Sequence, residues 1–352
     1  MCRLASAITV PRSLIRAEWS SRGFTGSDRR WSFFQSALPL LMIGGRAYGK
    51  RKRPCRKSFG LVNIAGYLLI LILVSVHGLL AVERGLAVVT IPVANMYSAA
   101  SEDVDVVSQA VLGSNVEVLE EKPGWEMVRT NDQYSGWVQQ HDLRILQPGN
   151  VGYASSGQIA QVSSKTANLY RETDVTTHRP LLTVSFETRL EVVAQGQGDD
   201  GDWIQVRLPD QRTAWIQAGD VDLAPRQLSI EESIALGRRF LGLTYTWGGR
   251  SSFGYDCSGF SQMLVRSRGI IMPRDADLQA AWSGAVPIDK KKLRPGDLLF
   301  FGSEPDHITH TGMFIGHGKF IHDTTYGHPG VKISRLNDQP WTHLLVACRR
   351  IK

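Results

Sequence analysis

A cysteine stands at the start of a segment whose apolar residues have helical spacing. Phe260 and Leu264 follow Cys257 at that spacing. The sequence therefore predicts a helix from Cys257 to Arg266, with the cysteine at its N-terminus. Unpaired backbone N–H groups and the helix dipole stabilise a thiolate at this position, so we expect a lowered thiol pKa. The chemistry expected of Cys257 is nucleophilic attack on a carbonyl, which requires a base.

Two histidines could supply that base. His310 begins a predicted strand and His322 ends the next one, and Gly316 to Lys319 between them is typical of a tight hairpin turn. Pairing the two strands brings the histidines close together. A thiolate, an imidazole that moves the proton and a third polar group that orients the imidazole form the arrangement of cysteine peptidases. The backbone N–H of Cys257 is a candidate donor to the oxyanion.

Each of these residues also has an ordinary structural interpretation. A lone cysteine before a helix is commonly a core residue, and His322 could make purely structural hydrogen bonds. The histidines could bind a metal on composition alone, although no spacing of ligands supports this. We expect His307 and His317 to be exposed, and Cys348, which ends the apolar segment Leu345 to Cys348, to lie in a core.

The elements that must position this chemistry change from helices to strands along the C-terminal segment. Ser229 and the acids after it predict an N-cap and a helix over about 231–241. A short helix is predicted over 277–282, after a loop that begins at Pro273. The predicted strands are Leu298 to Phe301, Thr311 to Ile315, Phe320 to His322 and Leu344 to Cys348. Helices followed by strands indicate a segregated α+β domain.

Two related segments precede this domain. Each carries two tryptophans twelve residues apart: Trp125 and Trp137, and Trp203 and Trp215. Short alternating runs interrupted by Gly, Asp, Asn or Pro surround both pairs, which is typical of small antiparallel sheets. The sequence predicts two β-rich units over roughly 90–147 and 158–223. Their residues resemble bacterial SH3-like domains.

The four tryptophans are expected to be core residues, because an aromatic that recurs at one place in two small barrels is usually buried. Exposed aromatics and acids of such a barrel can also reach a neighbouring site. The candidates are Tyr134, just ahead of Gly136, and Asp105, ahead of an expected turn at Ser108 and Gln109.

The net charge of +7 belongs to the N-terminal leader. Residues 1–87 carry 14 Lys and Arg against 3 Asp and Glu, whereas residues 88–352 carry 26 against 30. This distribution argues against a polyanion as the partner of the whole chain. Seven basic residues from Arg46 to Lys57 precede an apolar stretch from Leu61 to Val82, which indicates a secretory signal or an uncleaved membrane anchor.

Residues 1–41 fit neither a signal nor an anchor, and we interpret them as an over-long gene model ahead of Met42. Only Cys257 and Cys348 remain in the exported part of the chain. Two cysteines in a segment of this length do not make a disulfide framework.

The C-terminal domain strongly resembles the NlpC/P60 family of cell-wall cysteine peptidases, which has a papain-like core. The resemblance covers about 231–350 and follows the family order through Tyr245 to Gly249, Asp256 to Phe260, Pro273 to Asp275, Leu293 to Leu298, His310 to Gly316 and Phe320 to His322. It implies that Cys257 is the nucleophile, His310 the base and His322 the residue that orients the base. No cofactor is expected.

With two SH3-like units ahead of that domain, the chain resembles the γ-D-glutamyl-L-diamino acid endopeptidases of the family. This implies cleavage between D-Glu and the diamino acid of peptidoglycan stem peptides. It also implies a preference for a free N-terminal L-Ala, because the first SH3-like unit closes one end of the cleft. Such a site needs acids for the ammonium group, since a buried cation has to be paired.

The substrate-binding residues expected from this resemblance and from the barrel are Asp256, Ser258, Asp275, Tyr245, Trp247, Tyr134 and Asp105. Tyr245, whose hydroxyl would face the nucleophile, could equally be structural. Ala276 stands where relatives often carry a hydroxyl, which removes one substrate hydrogen bond without affecting catalysis.

The sequence thus predicts a leader over 1–87, SH3-like domains over 88–150 and 151–224, and a papain-like peptidase domain over 229–352. We expect an exported monomer that is periplasmic, wall-associated or extracellular, and membrane-bound only through an uncleaved leader. Its partners would be peptidoglycan stem peptides and not nucleic acid. Two alternatives are open: an amidase or acyltransferase with the same Cys-His-His site, and a wall-binding protein whose peptidase domain is auxiliary or inactive.

Overall fold

The computed structural model describes residues 85–352. The predicted signal or anchor and residues 1–41 lie outside the described residues. Within 85–352, no helix has both the length and the apolar character needed to cross a membrane.

The first repeat forms a seven-stranded antiparallel sheet. Its strands are β1 (Leu86–Val89), β2 (Val93–Tyr97), β3 (Val106–Val111), β4 (Asn115–Lys122), β5 (Trp125–Arg129), β6 (Ser135–Gln139) and β7 (Leu143–Ile145). They lie in the order β3-β2-β6-β5-β4-β1-β7. Small and β-branched side chains such as Ala87 and Val128 fill its core together with Met96.

The second repeat has the same topology. Its strands are β8 (Ile159–Val162), β9 (Thr166–Tyr170), β10 (Leu182–Ser185), β11 (Arg189–Gln195), β12 (Trp203–Arg207), β13 (Thr213–Gln217) and β14 (Val221–Asp222). Their order, β10-β9-β13-β12-β11-β8-β14, repeats that of the first sheet strand for strand. The predicted pair of related β units is therefore confirmed, and we call them the first and second barrels.

The repeated tryptophans occupy equivalent places in the two barrels. Trp125 meets Tyr97 edge to face, with ring centroids 5.5 Å apart, and Trp203 meets Tyr170 in the same way at 5.5 Å. Trp137 and Trp203 are buried, whereas Trp125 and Trp215 are half-buried. The expectation that all four belong to the core is therefore correct for two of them. The other two lie at the edge of each core.

The C-terminal domain combines four helices with a six-stranded sheet. The helices are α1 (Ile230–Arg239), α2 (Cys257–Arg266), α3 (Ala276–Ala281) and α4 (Trp341–Leu344). The strands are β15 (Arg250–Ser251), β16 (Gly254–Tyr255), β17 (Ala285–Pro287), β18 (Leu298–Glu304), β19 (His307–Gly316), β20 (Lys319–Thr324), β21 (Gly330–Arg335) and β22 (Leu345–Ile351). The large sheet has the order β17-β22-β18-β19-β20-β21. The α+β class predicted from the sequence is confirmed.

Local signals set the helix bounds. The Ser229 side chain accepts a hydrogen bond from the backbone N–H of Glu232, and the Glu232 carboxylate accepts one from the backbone N–H of Ser229. This capping box starts α1 close to the predicted position. The predicted bounds of α2 agree with the structure. Strands β15, β16, β17 and β21 were not predicted.

A tight turn joins the strands that carry the two histidines. His317 and Gly318 both have positive φ, 51° and 67°, as a two-residue type I′ hairpin requires. β19 ends at Gly316 and β20 begins at Lys319. The hairpin predicted here is confirmed, and it places the histidine-bearing strands side by side.

Candidate active site

The N-terminus of α2 holds Cys257 against the central strands of the sheet. Asp256 caps the helix, because its Oδ1 accepts a hydrogen bond from the backbone N–H of Gly259 at 2.7 Å. Phe260 and Leu264 pack into the core between the helices and the sheet. The thiol is therefore carried by a rigid element, and Cys257 is 8% exposed.

The thiol of Cys257 is less acidic than its place at a helix N-terminus predicts. Burial raises its pKa to about 12, and the neighbouring Asp256 carboxylate adds to the rise. Backbone hydrogen bonds from Thr311 and Ser258 and the charge of Arg274 lower the pKa but do not outweigh burial. The expected lowering of the pKa is therefore wrong. In the free protein the group is a neutral thiol, because desolvation disfavours the thiolate more than the helix terminus stabilises it.

A chain of hydrogen bonds joins both histidines to a serine. Nε2 of His310 lies 2.7 Å from Nδ1 of His322, and Nε2 of His322 lies 2.9 Å from Oγ of Ser334. One set of tautomers leaves Nδ1 of His310 free to accept a proton. In that set, Nε2–H of His310 donates to His322, and Nε2–H of His322 donates to the serine hydroxyl. Three adjacent strands thereby fix the ring of His310.

Aromatic side chains enclose the histidine pair. The ring centroid of Trp341 lies 5.2 Å from that of His310 and 4.8 Å from that of His322, and Phe301 packs on His310 at 5.6 Å. Burial lowers the pKa of His310 to about 3 and holds the pKa of His322 well below its usual value. Both rings are therefore neutral at pH 7, the state in which an imidazole can act as a base.

A second buried carboxyl group, besides that of Asp256, directly follows the histidine pair in the chain. Asp323 follows His322 on β20 and is buried, and within residues 85–352 neither of its carboxylate oxygens has a hydrogen-bond partner. Burial, followed by the charge of Asp256, raises the pKa of Asp323 to about 8. The group is therefore mostly protonated at pH 7. Because neighbouring residues of a strand face opposite ways, it lies on the other face of β20 from His322.

Arg274 neutralises one of the acids expected to bind substrate. Its guanidinium is 1% exposed and pairs with Asp256 through two hydrogen bonds, Nη1 to Oδ1 at 3.0 Å and Nη2 to Oδ2 at 2.6 Å. Nη1 also donates to Ser258 Oγ at 2.7 Å, and Nε donates to Ser108 Oγ of the first barrel at 3.1 Å. The charge of Asp256 is therefore balanced inside the protein, and Ser258 takes part in that pair.

Tyr134 reaches from the first barrel to the other acid. Its hydroxyl donates a hydrogen bond to Oδ2 of Asp275 at 3.0 Å. Burial raises the pKa of Asp275, although the hydrogen bond from Tyr134 and the charge of Arg274 oppose the rise. Among residues 85–352, no basic side chain forms a salt bridge with Asp275. This acid therefore keeps the capacity to pair with an incoming cation.

Polar contacts dock the first barrel on the peptidase domain. Oε1 of Gln109 accepts a hydrogen bond from the backbone N–H of Arg250 at 3.0 Å. Oδ2 of Asp132 accepts one from Nε2 of Gln262 at 2.7 Å and lies 3.6 Å from Nη2 of Arg250. Asp132 shares its hairpin with Tyr134, and Gln262 lies in α2. The helix that carries the thiol and the hairpin that carries the tyrosine are thus tied together.

The barrel also approaches the peptidase backbone closely. A Cβ on Gly248 would lie 2.5 Å from the carbonyl oxygen of Val106, and the φ of Gly248 is +70°, so only glycine fits here. Asp105 is exposed, and within residues 85–352 its carboxylate forms no hydrogen bond or salt bridge. The turn expected at Ser108 and Gln109 is wrong, because both residues lie in β3. Their side chains dock on the peptidase domain instead.

Two aromatic residues precede the nucleophile. Tyr245 is half-buried, and its pKa is raised first by burial and then by Cys257 and Asp256. This dependence places the Tyr245 hydroxyl in the electrostatic surroundings of the thiol. Trp247 is 70% exposed, so one face of its ring is free to pack against a bound molecule.

The remaining predictions for single residues concern positions away from this site. His307 and His317 are exposed and Cys348 is buried, as predicted. Residues 85–352 contain no cluster of three or more His, Cys, Asp or Glu side chains able to hold a metal ion.

Sequence reasoning missed several residues of the site: Gln109, Gln262, Arg274, Asp323 and Ser334. Three carried a usable signal. Gln262 interrupts the apolar face of α2, Asp323 continues an apolar strand, and Arg274 lies inside a motif shared with the family. Polar residues in such places are usually satisfied by a specific partner. Gln109 and Ser334 lie in ordinary alternating strands and gave no such signal.

Comparison with known proteins extends these observations. Residues 242–350 match the NlpC/P60 family, residues 162–223 match the YKFC SH3b2 domain, and residues 96–143 match the bacterial dipeptidyl-peptidase Sh3 domain. The crystal structure of an NlpC/P60 family protein from Bacillus cereus superposes with a TM-score of 0.64 and 26% identity. It covers 76% of this chain and 99% of that chain.

Two curated relatives align with about two thirds of this chain. A γ-D-glutamyl-L-lysine dipeptidyl-peptidase of Bacillus cereus is 31% identical over 258 residues, 69% of this chain and 74% of the relative. The Bacillus subtilis protein of the same name is 31% identical over 253 residues, 69% of this chain and 80% of the relative. The three family matches and the solved structure confirm two SH3-like domains followed by an α+β peptidase domain.

Proposed function

Because this chain belongs to the NlpC/P60 family of peptidoglycan hydrolases and is a cysteine peptidase, we propose that it cleaves the amide bond between γ-D-Glu and the diamino acid of stem peptides. We further propose that it prefers substrates with a free N-terminal L-Ala. The relatives named for γ-D-glutamyl-L-lysine support the first part of this proposal.

The contact between Tyr134 and Asp275 is the observation that carries the second part. It closes one end of the site with a side chain from the first barrel and leaves an acid without a basic partner there. An ammonium group moved out of water needs such an acid. A free α-amine of L-Ala, two residues ahead of the scissile bond, supplies that charge. An acylated amine would carry no charge and would add bulk at the closed end.

In the proposed mechanism, the Cys257 thiol and the His310 imidazole are both neutral before substrate binds. As Sγ attacks the γ-carbonyl carbon of D-Glu, the thiol proton passes to Nδ1 of His310. The backbone N–H of Cys257 donates to the oxyanion that forms. His322 accepts from Nε2–H of His310 throughout and so keeps the ring oriented and stabilises its charged form.

Collapse of the tetrahedral intermediate breaks the C–N bond. His310 gives its proton to the leaving amine of the diamino acid, and a thioester joins the D-Glu carbonyl to Cys257. Water then loses a proton to His310 and attacks the thioester, which releases the dipeptide acid and restores the thiol. Each proton taken up by the imidazole is returned, so no external acid or base is consumed.

Asp256, Ser258, Tyr245 and Trp247 take supporting places in this proposal. Asp256 fixes the start of the helix and, through Arg274, the position of Asp275. Tyr245 lies near the reacting sulfur, and Trp247 offers an exposed ring to the substrate. Asp105 has no assigned contact and is proposed only as a residue near the cleft rim.

We propose domain limits of 88–150, 151–224 and 229–352 for the two SH3-like domains and the peptidase domain. The family points to activity at the cell wall or outside the cell. We propose export through the leader, whose signal or anchor lies outside the described residues.

Cys257→Ala tests the chemistry. The variant removes the nucleophilic sulfur and changes the size of the buried side chain only slightly. Hydrolysis of L-Ala-γ-D-Glu-L-Lys should therefore fall to the uncatalysed level. Mass spectrometry of the products gives the bond that is cut. Persistent turnover by a correctly folded variant would contradict the mechanism, and cleavage at another amide would contradict the proposed bond.

A blocked amine tests the specificity. Acetylation of L-Ala should reduce kcat/KM by about 100-fold, since it removes a charge that Asp275 would pair in a partly buried site. The diaminopimelate and L-Lys forms of the substrate are compared in both states. Asp275→Asn provides the matched control, because it should weaken cleavage of the free-amine substrate and leave the acetylated one nearly unchanged. Equal cleavage of free and acetylated substrates by the unmodified protein would refute the preference.

A further inference from the structure

A cavity of about 300 Å³ lies where both barrels and the peptidase domain meet. Its lining includes Ser114 and Asn131 of the first barrel, Tyr153 between the barrels, Arg189 of the second barrel, and Arg250 and Arg266 of the peptidase domain. Neither the thiol nor the histidine pair contributes to it. It is therefore a second concave site, distinct from the one that carries the proposed chemistry.

Positive charge dominates this cavity. Three arginines are among its lining residues, and Glu187 is the one acid among them within 85–352. Glu187 is already committed to Arg266, whose Nε and Nη2 both donate to its Oε2, at 3.0 and 2.6 Å. The positive charges of Arg189 and Arg250 are therefore less fully balanced by acids of the cavity lining.

Arg250 is a buried cation with an incomplete partner. It is 9% exposed and donates through Nε to Oε1 of Gln262 at 2.9 Å. The nearest carboxylate, that of Asp132, lies 3.6 Å from Nη2, beyond good hydrogen-bonding distance. Burial, followed by repulsion from Arg266, lowers the pKa of Arg250 to about 10. An anion at its terminal nitrogens would relieve this deficit of negative charge.

Arg189 supplies a second cation from another domain. It is exposed, and within residues 85–352 its side chain forms no hydrogen bond or salt bridge. The side chains of Ser114 and Asn131 are likewise without hydrogen-bond partners among the described residues and add neutral donors. Phe186 and Tyr153 supply apolar walls.

We propose that this three-domain cavity binds a small oxyanion, a carboxylate or a phosphate. Guanidinium groups suit either ligand, because their planar forks match two oxygens of one anion. Cavities at domain interfaces are common ligand sites, and a volume of this size admits a molecule no larger than about a dipeptide. The apolar walls favour an anion with a short carbon chain.

Such a ligand would bridge the three domains. Its oxygens would contact arginines carried by the second barrel and the peptidase domain, and Asn131 lies in the first-barrel hairpin that ends in Tyr134. A ligand that binds only the assembled arrangement stabilises it in proportion to the logarithm of its concentration. Saturating ligand should therefore raise the unfolding temperature as well as bind measurably.

Titration calorimetry of the Cys257→Ala chain with inorganic phosphate and with glutarate tests the proposal. Glutarate has no amine, so the acidic end of the peptidase site does not favour it. We expect saturable binding of at least one anion, weakened about tenfold or more by Arg189→Gln, which removes one charge-assisted contact. The arm that binds more tightly identifies carboxylate or phosphate as the preferred group.

Arg179→Gln is the matched control, because Arg179 is also exposed on the second barrel but does not line the cavity. It should leave both binding constants and the ligand-induced rise in unfolding temperature unchanged. Arg189→Gln, made in the active protein, should keep peptide cleavage in anion-free buffer. Absence of binding by both anions would overturn the proposal. So would binding that survives Arg189→Gln or falls equally in both variants.

Discussion

The two barrels carry the same hairpin between equivalent strands, yet only one of these hairpins reaches the candidate active site. Thr130 to Tyr134 and Leu208 to Arg212 have matching backbone hydrogen bonds, from Gln133 N–H to Thr130 O and from Gln211 N–H to Leu208 O, both 2.9 Å. The third residue is aspartate in each, and the fourth has a positive φ, 66° at Gln133 and 75° at Gln211. The hairpins differ in their last residue and in what they face.

Tyr134 ends the first hairpin and donates to Asp275 of the peptidase domain. Arg212 ends the second and turns back on its own hairpin, with Nη2 2.7 Å from Oδ2 of Asp210. The same contrast holds for the third residue, since Asp132 binds Gln262 across the domain boundary. One fold thus supplies two copies of a positioning device. Docking and a single side chain determine which copy contacts Asp275 in the proposed substrate cleft.

Exchanging the last residues of the two hairpins should have the largest effect on activity. Tyr134→Arg would place a guanidinium beside Asp275, where it pairs with the acid and repels a substrate ammonium, so kcat/KM should fall about 100-fold or more. Arg212→Tyr should keep kcat/KM within about twofold, because that hairpin contacts no peptidase residue of the site. The measurement is hydrolysis of L-Ala-γ-D-Glu-L-Lys.

Tyr134→Phe separates the lost hydrogen bond from the added charge in that experiment. It should reduce kcat/KM by about tenfold, the effect of one hydrogen bond to a charged group. Equal losses in Tyr134→Arg and Arg212→Tyr would show that the two hairpins are not functionally distinct.

The aspartates of the two hairpins, Asp132 and Asp210, should differ less, in how much each contributes to the free energy of unfolding. This difference should depend on pH. Burial alone would raise the pKa of Asp132, but Arg250 and hydrogen bonds from Thr130 and Gln262 lower it below the ordinary value. An acid with a lowered pKa in the folded state stabilises the fold above its unfolded pKa of about 3.9, and this contribution is lost as pH falls through the folded pKa. Asp132→Asn should therefore lower the free energy of unfolding by about 1–2 kcal/mol at pH 7.

Chemical denaturation across pH measures this effect. The difference between Asp132→Asn and the unmodified protein should shrink below about pH 4, where the Asp132 carboxylate of the unfolded chain begins to protonate while the native one is still charged. Asp210→Asn should give a smaller loss at pH 7, since its pair with Arg212 is largely in contact with solvent. A pH-independent effect of Asp132→Asn would rule out a charge-based role in docking.

The smallest expected effects concern the residue with positive φ that both hairpins contain, Gln133 and Gln211. Gln133 and Gln211 have a left-handed backbone conformation that costs a residue with a side chain about 1 kcal/mol, and Gln133→Gly and Gln211→Gly each remove this cost. Part of the gain is lost because glycine gives the unfolded chain more conformational freedom. Each variant should raise the unfolding temperature by at most a few degrees, and by similar amounts. Opposite signs in the two variants would show that the hairpins do not share the same backbone strain.

Local patterns made much of the peptidase domain predictable. The apolar spacing after Cys257 predicted the bounds of α2, and the glycines around His317 predicted the hairpin that aligns the histidines. These features depend on residues a few positions apart. The repeat of the barrels was visible for the same reason, because each unit encodes its own sheet.

Contacts between distant residues were not predictable in this way. Tyr134 and Asp275 are 141 residues apart, and their meeting depends on how the barrel docks. The pairing of Arg274 with Asp256 required knowledge of a loop conformation that no local signal specifies. The acidity of Cys257 was misjudged because the helix terminus is a local feature, whereas the burial that outweighs it comes from the whole domain.

Tyr134 of the first barrel and Asp275 of the peptidase domain meet only across the boundary between these two parts of the molecule, so the proposed closed end exists only while the barrel stays docked. On the proposed specificity, the first barrel therefore limits how far a bound peptide can extend beyond L-Ala. The catalytic residues all belong to the peptidase domain. Undocking the barrel would leave the thiol, the two histidines and Ser334 in place and open the cleft at that end. On the proposed specificity, a chain limited to stem peptides with a free N-terminal L-Ala would then also cleave stems that extend beyond it.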